Sequence, residues 1–240
     1  TSVRGTDVTV TPYLKPEVIE VYREIGKYLY KIHFLSEELM QRTKEFGIQV
    51  NREQVIYQGV NLKLFRFNGE LKTEKLRILS VGRLHHIKGM EFALLAAKEL
   101  KKRGVAFELN IIGDGPEKEK LAFLIHDLGL HNEVFLRGSL EHTKTLKFFQ
   151  ESNVYLHPHL VTGLSNTMLE ALASNLRVVV FSSNLHLYQE VSLSGLIREV
   201  TRYNYKALAD ELEAIWAHRS FGYSFGEIKP ILDHFSLATQ

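Results

Sequence analysis

Two cationic side chains follow an apolar run in the segment SVGRLHHIKGM, residues 80–90. Gly82 and Arg83 come directly after that run, and Lys88 stands just before a helical pattern. The planar fork of an arginine and the point charge of a lysine suit a diphosphate, because two cations offset most of its charge. A pair of solvated surface cations is the alternative, and these residues alone leave both interpretations open.

The segment VTGLSNTMLEALASN, residues 161–175, places a glycine and small polar residues directly before an apolar helical pattern. Gly163 lets the backbone approach a ligand closely. A helix that begins near Ser165 or Asn166 directs unpaired N–H groups and the positive end of its dipole towards whatever lies before it. The pattern therefore predicts an anion-binding loop.

Glu170 stands among apolar residues in the same helical pattern, and two roles fit it. Thr167 and Glu170 have the T-x-x-E spacing of a capping box, in which the carboxylate accepts the N–H of Thr167. If the helix begins at Ser165 instead, Glu170 lies more than one turn inside it and can accept hydrogen bonds from a ligand. The local spacing favours the capping box slightly.

Two further loops follow apolar runs. The segment IIGDGPE, residues 111–117, contains a G-x-G, but Lys118 stands where a dinucleotide site would have its third glycine. We interpret that segment as a turn. The segment EVFLRGSL, residues 133–140, offers backbone groups around Arg137 and Gly138 that could pair with the edge of a base, and a plain strand end fits it equally well.

Histidine is plentiful, at 11 residues, but no pair has the helical spacing with a third ligand that a zinc site needs. We therefore expect no metal site. His157 and His159 flank Pro158 at the end of a predicted strand, and both are candidates for the lining of the pocket.

From about residue 76 the chain repeats one pattern, in which a short β-branched run, a turn with glycine and a longer amphipathic run follow one another. This pattern is typical of an α/β fold with a doubly wound parallel sheet, whose ligands bind outside the carboxyl ends of the strands. Strands are predicted at LRILSVG, FELNIIG, EVFLRG, NVYLHPH and RVVVF, and helices at GMEFALLAAKELKKRG, PEKEKLAFLIHDLG, 141–151, the segment after Ser165 and NYKALADELEAIWAH.

The chain before residue 71 contains a different and incomplete unit. Its predicted elements are a helix over 17–30, a strand IHFLS, a helix SEELMQRTKEFG with Ser36 as N-cap, and a strand VIYQGV. The polar segment FRFNGELKTEK reads as a linker and places the boundary near residue 71. Near the other end, Ser224 and Glu227 have capping-box spacing, and Pro230 is expected to break or restart the helix.

The composition is that of a globular protein, with 45% hydrophobic and 24% charged residues. A net charge of +2 is too small for a protein that coats nucleic acid. Cysteine is absent, which excludes disulfides and thiolate sites and fits a reducing compartment. No apolar run reaches the roughly 18 residues that cross a bilayer. Because Thr1 is not a natural start, we expect further residues upstream.

Seven segments, taken in order, resemble the family 4 glycosyltransferases, a retaining group with the GT-B fold. They are RGTD, IHFLSEEL, VIYQGVNLKLF, SVGRLHHIKGM, IIGDGPEKEKL, VFLRGSL and LHPHLVTGLSNTMLEALAS. The resemblance implies two Rossmann-like domains. Residues 1–71 would be the end of the N-terminal acceptor domain, 72–220 the nucleotide-sugar donor-binding domain, and 221–240 a helical tail that crosses back to the first domain.

The resemblance also implies roles for single residues. Arg83 and Lys88 match the pair that binds the donor's diphosphate and supports catalysis, and Glu170 matches the second acid of an E-x7-E motif that binds the ribose. The resemblance ranks the ligand role of Glu170 above its role in a capping box. Arg4 takes the place of a histidine that touches the sugar in many relatives. The other residues expected at the donor are Gly82, Arg137, Gly138, Thr162, Gly163, Leu164, Ser165 and Asn166.

The implied activity is a retaining hexosyltransferase reaction, which moves a sugar from a nucleoside diphosphate sugar to a glycan, lipid or small-molecule acceptor. No metal or other cofactor is expected. The implied partners are the nucleotide sugar and a carbohydrate or lipid-linked acceptor, without nucleic acid. The implied location is the cytoplasm, with peripheral contact to the inner face of the membrane through upstream residues, in cell envelope or polysaccharide biosynthesis.

Several positions depart from the family pattern. Thr162 replaces the first acid of E-x7-E, so a carboxylate near the donor sugar is lost. This substitution motivates an alternative, a relative that binds nucleotide sugars without transferring them, and a nucleotide-sugar epimerase of the same fold is a more remote one. Because most of an acceptor domain is absent from these residues, we expect the chain to bind nucleotide and to transfer little.

Overall fold

A computed structural model describes most of the chain, namely residues 2–3, 8, 10–49, 51–56, 59–61, 64–65, 73–160, 165–182, 196–219 and 221–234. The chain divides into two compact units, residues 1–59 and residues 60–239. Each unit is built on a parallel sheet.

The first unit contains a three-stranded sheet in the order β1-β2-β3, formed by Ser2–Val3, Ile32–Phe34 and Glu53–Val55. Its helices include α1 (Thr11–Leu14), α2 (Glu17–Tyr28) and α3 (Glu37–Glu45). The predicted N-cap of α3 is confirmed, because Ser36 Oγ accepts the backbone N–H of Leu39 at 3.2 Å. The core of this unit is small and centres on Phe34, which is fully buried.

The second unit contains a six-stranded sheet in which every neighbouring pair is parallel. The strands follow the order β6-β5-β4-β7-β8-β9. They are β4 (Leu76–Val81), β5 (Phe107–Ile112), β6 (Val134–Gly138), β7 (Val154–His157), β8 (Arg177–Phe181) and β9 (Ile197–Val200).

Helices connect these strands. They are α4 (Met90–Lys102), α5 (Lys118–Asp127), α6 (His142–Glu151), α7 (Asn166–Ala173), α8 (Tyr205–Ala217) and α9 (Phe225–His234). The helix α4 packs against α5 and α8, and α9 packs against α7. Helices that connect parallel strands cover both faces of a sheet, which explains why β7 and most of β8 are buried on both faces.

The core of the second unit lies between the sheet and these helices. All four residues of β7 are buried, and so are four of the five residues of β8. Leu94, Leu109 and Leu212 are among the side chains that fill the space between sheet and helices. The predicted strands from residue 76 to residue 181 are present, and their burial on both faces agrees with a doubly wound sheet.

The division between the units falls at residues 59 and 60, earlier than the predicted boundary at residue 71. Phe65, part of the predicted linker, is buried in the second unit, where its ring packs edge to face on Phe149 at 6.1 Å. This contact gives a physical reason for the earlier division. Residues 66–72 lie outside the described part of the chain.

Three local expectations differ from the structure. The helix α5 begins at Lys118, so Pro116 lies in the preceding turn and not at the first helical position. The short strand β9 was not expected at all. Pro230 lies inside α9 and does not break it, although the proline lacks the N–H that would complete the helical ladder. The cap of α9 agrees with prediction, because Ser224 N–H donates to Glu227 Oε2 at 2.7 Å.

Among the described residues, no helix combines the length and the apolar character that spanning a lipid bilayer requires.

Candidate functional site

The order of the six strands reverses between β4 and β7, which lie side by side in the sheet. One connection leaves this point towards β5 and the other towards β8, so the loops after β4 and β7 diverge. Ligands of doubly wound sheets bind in the crevice that such divergence opens. The first loop is 82–89, which contains the cationic segment, and the second follows β7, where the structure describes residues 158–160 and 165.

These two loops are packed tightly against each other. Gly89 has φ of 60°, and a Cβ atom built on it would lie 2.0 Å from the carbonyl oxygen of Pro158. Close by, the N–H of Leu160 donates to the carbonyl of Ile87 at 2.9 Å. Only glycine satisfies both the left-handed backbone and the close approach at position 89.

The turn after β5 supports the cationic loop from the other side. Gly113 has φ of 142°, and a Cβ atom there would lie 1.9 Å from the carbonyl oxygen of Gly82. The N–H of Leu84 donates to the carbonyl of Asp114 at 2.9 Å. The segment IIGDGPE is therefore a turn, as predicted, and it also fixes the backbone that carries Arg83.

Lys88 and Arg83 differ in their surroundings. Lys88 is half-buried at the end of a short 3-10 helix, His86–Lys88, and its Nζ lies 3.4 Å from Nδ1 of His159. Burial lowers the pKa of Lys88. Arg83 is exposed and makes no ion pair within the described part of the chain. The structure thus brings Lys88 to the loop after β7 and leaves the guanidinium of Arg83 in solvent.

Two histidines lie beneath this lysine. The ring of His157 is fully buried and stacks on the ring of His159, with 3.4 Å between their centroids. Burial and the charge of Lys88 lower the pKa of His157 to about 3. Burial, His157 and Lys88 also lower the pKa of His159. Both imidazoles are consequently neutral near pH 7.

A buried hydroxyl chain continues from the histidines to the start of α7. The hydroxyl of Tyr155 lies 3.3 Å from His157 Nδ1 and donates to Thr167 Oγ1 at 2.7 Å. Thr167 Oγ1 in turn lies 3.0 Å from Ser165 Oγ. These contacts tie the predicted anion-binding helix start to the strand β7.

The start of α7 excludes one of the two interpretations of Glu170, and the ligand role stays a prediction. Ser165 is the N-cap, since its Oγ accepts the N–H of Met168 at 3.3 Å, and the first helical residue is the exposed Asn166. Thr167 is already inside the helix, so the T-x-x-E capping box is wrong. Two cap-competent residues stand close together here, and the local spacing alone selected the wrong one.

Glu170 lies more than one turn inside α7 and is largely buried. Its Oε1 lies 3.2 Å from Nε2 of His142, the first residue of α6. Burial raises the pKa of Glu170, and this effect exceeds the opposing effect of His142. The carboxyl group therefore sits in a partly dehydrated position on the side of the helix that faces α6.

Arg137 and Gly138 have internal partners. Arg137 Nε donates to Asn110 Oδ1 at 2.7 Å, and the guanidinium lies 4.6 Å from the centroid of the Phe135 ring. The carbonyl of Gly138 accepts the N–H of Gly113 at 2.8 Å. Their predicted role at a base stays a prediction, and the side chain of Arg137 is already engaged.

Four predicted site residues lie outside the described part of the chain, namely Arg4, Thr162, Gly163 and Leu164. The sequence interpretation also missed contributors. Tyr155 could have been noticed as a lone hydroxyl in an apolar strand. Nothing in the sequence pointed to His142, because its contact with Glu170 depends on the proximity of α6 and α7.

A family model described as "Glycosyl transferases group 1" matches residues 63–222 of the chain. The chain belongs to this glycosyltransferase family. An uncharacterized glycosyltransferase of Methanocaldococcus jannaschii is 29% identical over 167 residues, which cover 70% of this chain and 40% of that protein. The amylovoran biosynthesis glycosyltransferase AmsK of Erwinia amylovora is 33% identical over 138 residues, 55% of this chain and 33% of AmsK. The chain thus spans less than half of either relative.

The solved structures include Anabaena HepE in complex with UDP-glucose, which superposes with a TM-score of 0.82 at 14% identity. The match covers 99% of this chain and 69% of HepE. It confirms the predicted fold, a parallel-sheet α/β architecture of the GT-B type with Rossmann-like sheets.

Proposed function

We propose that the protein transfers a sugar from a nucleoside diphosphate sugar to an acceptor, with retention of the anomeric configuration. The observation that supports this most directly is the half-buried ammonium of Lys88 at the crevice between β4 and β7. A cation in that place, in a member of a glycosyltransferase family, suits the diphosphate of a donor.

The proposed mechanism is electrostatic. Negative charge grows on the leaving diphosphate as the bond to the sugar breaks. The ammonium of Lys88, the guanidinium of Arg83 and the N–H groups at the start of α7 stabilise that charge. Because Lys88 is already partly dehydrated, its field is weakly screened, and little reorganisation is needed when the charge appears.

Glu170 accepts hydrogen bonds from the donor's ribose in this proposal. Its carboxyl group lies more than a turn beyond the helix start, so the diphosphate and the ribose would occupy neighbouring positions along α7. The loop at Gly138 lies beside the turn at Gly113 and would face the base.

The proposed reaction needs no metal, because Arg83 and Lys88 supply the positive charge that a divalent ion supplies elsewhere. The acceptor is a carbohydrate or a lipid-linked glycan. The name of the relative AmsK refers to amylovoran biosynthesis, which supports a role in polysaccharide or cell envelope synthesis. We place the protein in the cytoplasm, in peripheral contact with the inner face of the membrane.

The test begins with binding. Uridine, guanosine and adenosine diphosphates and their sugars are screened by thermal shift, because a ligand at about 100 times its Kd adds about 2.7 kcal/mol of stability.

The second test measures turnover. Lys88→Ala and Arg83→Ala should each slow the acceptor-dependent release of nucleoside diphosphate roughly a hundredfold, about 3 kcal/mol. We expect Lys102→Ala, which removes an exposed lysine paired with Glu99, to behave as the wild type.

Chelation by EDTA should leave turnover unchanged. Turnover indifferent to both site substitutions would remove the transferase proposal. A thermal shift with nucleotide but no release under any acceptor would favour the alternative of a nucleotide-sugar-binding relative, which Thr162 in place of an acid motivates.

A further inference from the structure

His159 contacts Lys88 directly across the crevice between β4 and β7. Its Nδ1 lies 3.4 Å from the lysine Nζ, and its ring packs against the ring of His157 with an angle of 36° between the two planes. Gly82 closes the arrangement, since a Cβ atom built there would lie 3.7 Å from His159 Nε2 and 3.9 Å from Lys88 Cδ. The imidazole and the lysine stem thus pack against the same stretch of backbone.

The chemistry of the two groups fixes the direction of this hydrogen bond. An ammonium group has three hydrogens and no lone pair, so Lys88 donates and Nδ1 of His159 accepts. The ring hydrogen of the neutral imidazole is therefore on Nε2. That atom is buried and has no hydrogen-bond partner among the described residues.

A buried N–H without a partner destabilises the folded state. A histidine with a purely structural task would be expected to have both ring nitrogens satisfied. His159 instead uses one nitrogen for Lys88, and no group of the described residues pairs with the other. The contact with Lys88 is therefore the one polar interaction of the ring among the described residues.

A neutral acceptor has a specific advantage at this position. A carboxylate beside Lys88 would hold the ammonium but would also neutralise the charge that an anionic ligand needs. An imidazole holds it without adding charge. In the described part of the chain no carboxylate pairs with Lys88, and burial is the cause that lowers its pKa.

We propose that His159 is a positioning residue, whose Nδ1 fixes the ammonium of Lys88 in the orientation that binds the donor's diphosphate. This inference rests on the proposed function. A free lysine side chain populates many rotamers, so fixing it costs entropy. An acceptor that restricts the side chain before the ligand arrives lowers the entropy that binding must remove.

Two nearly isosteric substitutions test the proposal. His159→Asn places an amide oxygen close to the position of Nδ1, and His159→Leu fills a similar volume without any acceptor. Each is made in the wild-type protein and in Lys88→Ala. The probes are the tightest binder among uridine, guanosine and adenosine diphosphates and the corresponding free nucleoside, with Kd measured by calorimetry.

We expect His159→Leu to weaken diphosphate binding at least tenfold and to leave nucleoside binding unchanged, whereas His159→Asn stays within about threefold of the wild type. In the Lys88→Ala background the Asn and Leu variants should bind equally, because the residue that they position is gone. Equal binding by the two variants when Lys88 is present, or a difference that persists without it, would overturn the proposal. Should His159→Leu fail to fold, His159→Gln replaces it, since its amide reaches beyond the Nδ1 position.

A second measurement needs no ligand and separates this inference from the proposed function. The Nζ signal of Lys88 in a ¹⁵N-labelled sample, assigned by its loss in Lys88→Ala, should be slowed in solvent exchange in the wild type and in His159→Asn. It should exchange rapidly in His159→Leu or in His159→Gln. Identical exchange in all variants would contradict positioning by His159. Absence of binding to all three diphosphates would instead refute the proposed function.

Discussion

Lys88 and Glu170 share one physical property, which is that burial shifts the pKa of each towards its neutral form. The pKa of Lys88 is lowered and that of Glu170 is raised. Both shifts report a partly dehydrated environment around each group. Groups with such shifts cluster at functional sites, because dehydration makes each charge act more strongly on a ligand.

The pKa of Glu170 leads to a prediction with opposite signs for stability and binding. A carboxyl group whose folded pKa is raised binds its proton more tightly in the folded state, so stability is lost as the pH rises through that pKa. At pH 7 the Glu170→Gln protein should therefore melt at a higher temperature than the wild type. Its affinity for a nucleoside diphosphate should fall, because an acceptor of the ribose is weakened.

Thermal melts and calorimetry between pH 5 and 8 check this prediction. Both proteins will show the titration of the ligand's terminal phosphate. Wild-type binding should weaken more steeply than binding by the Gln variant as the pH falls, since protonation removes the carboxylate in the wild type alone. Glu151→Gln, in the exposed last turn of α6, serves as the control and should change neither quantity. A Gln variant that melts lower, or binds as the wild type does, would show that Glu170 has a structural role only.

At the scale of elements, the loops after β4 and β7 pack closely because Gly89 has no side chain at their contact. Gly89 and Gly104 have similar positive φ values, 60° and 71°. A Cβ atom on Gly89 would meet the carbonyl oxygen of Pro158 at 2.0 Å, whereas nothing lies within 4 Å of one on Gly104. The two glycines therefore form a matched pair that separates backbone strain from close packing.

We predict that Gly104→Ala costs about 1–2 kcal/mol, the strain of a left-handed alanine. Gly89→Ala should cost about 1–3 kcal/mol more than Gly104→Ala, because the loop must shift away from Pro158. Urea unfolding measures both costs. Only Gly89→Ala should also weaken nucleotide binding, so equal losses of stability with unchanged binding in the two variants would contradict the packed-loop interpretation.

Local patterns predicted most of these elements but not their mutual contacts. The mostly apolar runs predicted β4 to β8 because strands that helices cover on both faces are rich in apolar residues, and β9 was missed because only its first and last residues are buried. The capping box at Thr167 was a local signal that a better-placed neighbour, Ser165, overrode. The contacts of Gly113 with Gly82 and of His142 with Glu170 join residues far apart in sequence, and no spacing rule reveals them.

At the scale of the whole molecule, the reversal of strand order in the second unit gathers the site residues from separate segments. Lys88, His159 and Ser165 follow two adjacent strands, so the sheet itself brings them together. The predicted fold was sufficient to place the crevice, since any doubly wound sheet has one. It was not sufficient to show which cation enters the crevice, which only the packing around Lys88 and Arg83 reveals.

The single tryptophan of the chain offers a test of where the ligand binds. Trp216 lies in α8 of the second unit, with the guanidinium of Arg219 3.6 Å from its ring centroid. Its fluorescence should therefore follow the unfolding of that unit. We expect a nucleoside diphosphate at about 100 times its Kd to stabilise the tryptophan transition in urea by about 2.7 kcal/mol. Calorimetry shows independently whether the ligand binds. If it binds but leaves the tryptophan transition unchanged, the binding site lies outside this unit.

Because all six strands of the larger sheet run in one direction, its two rims have different uses. The loops of the crevice occupy one rim, and the turns at Gly104 and Gly129 occupy the other. The chain has no native thiol, so Asn132→Cys in the exposed turn before β6 would provide a unique anchor on the far rim. A protein tethered there to a sensor chip would present its crevice to the flowing solution, and immobilisation would leave ligand access unchanged.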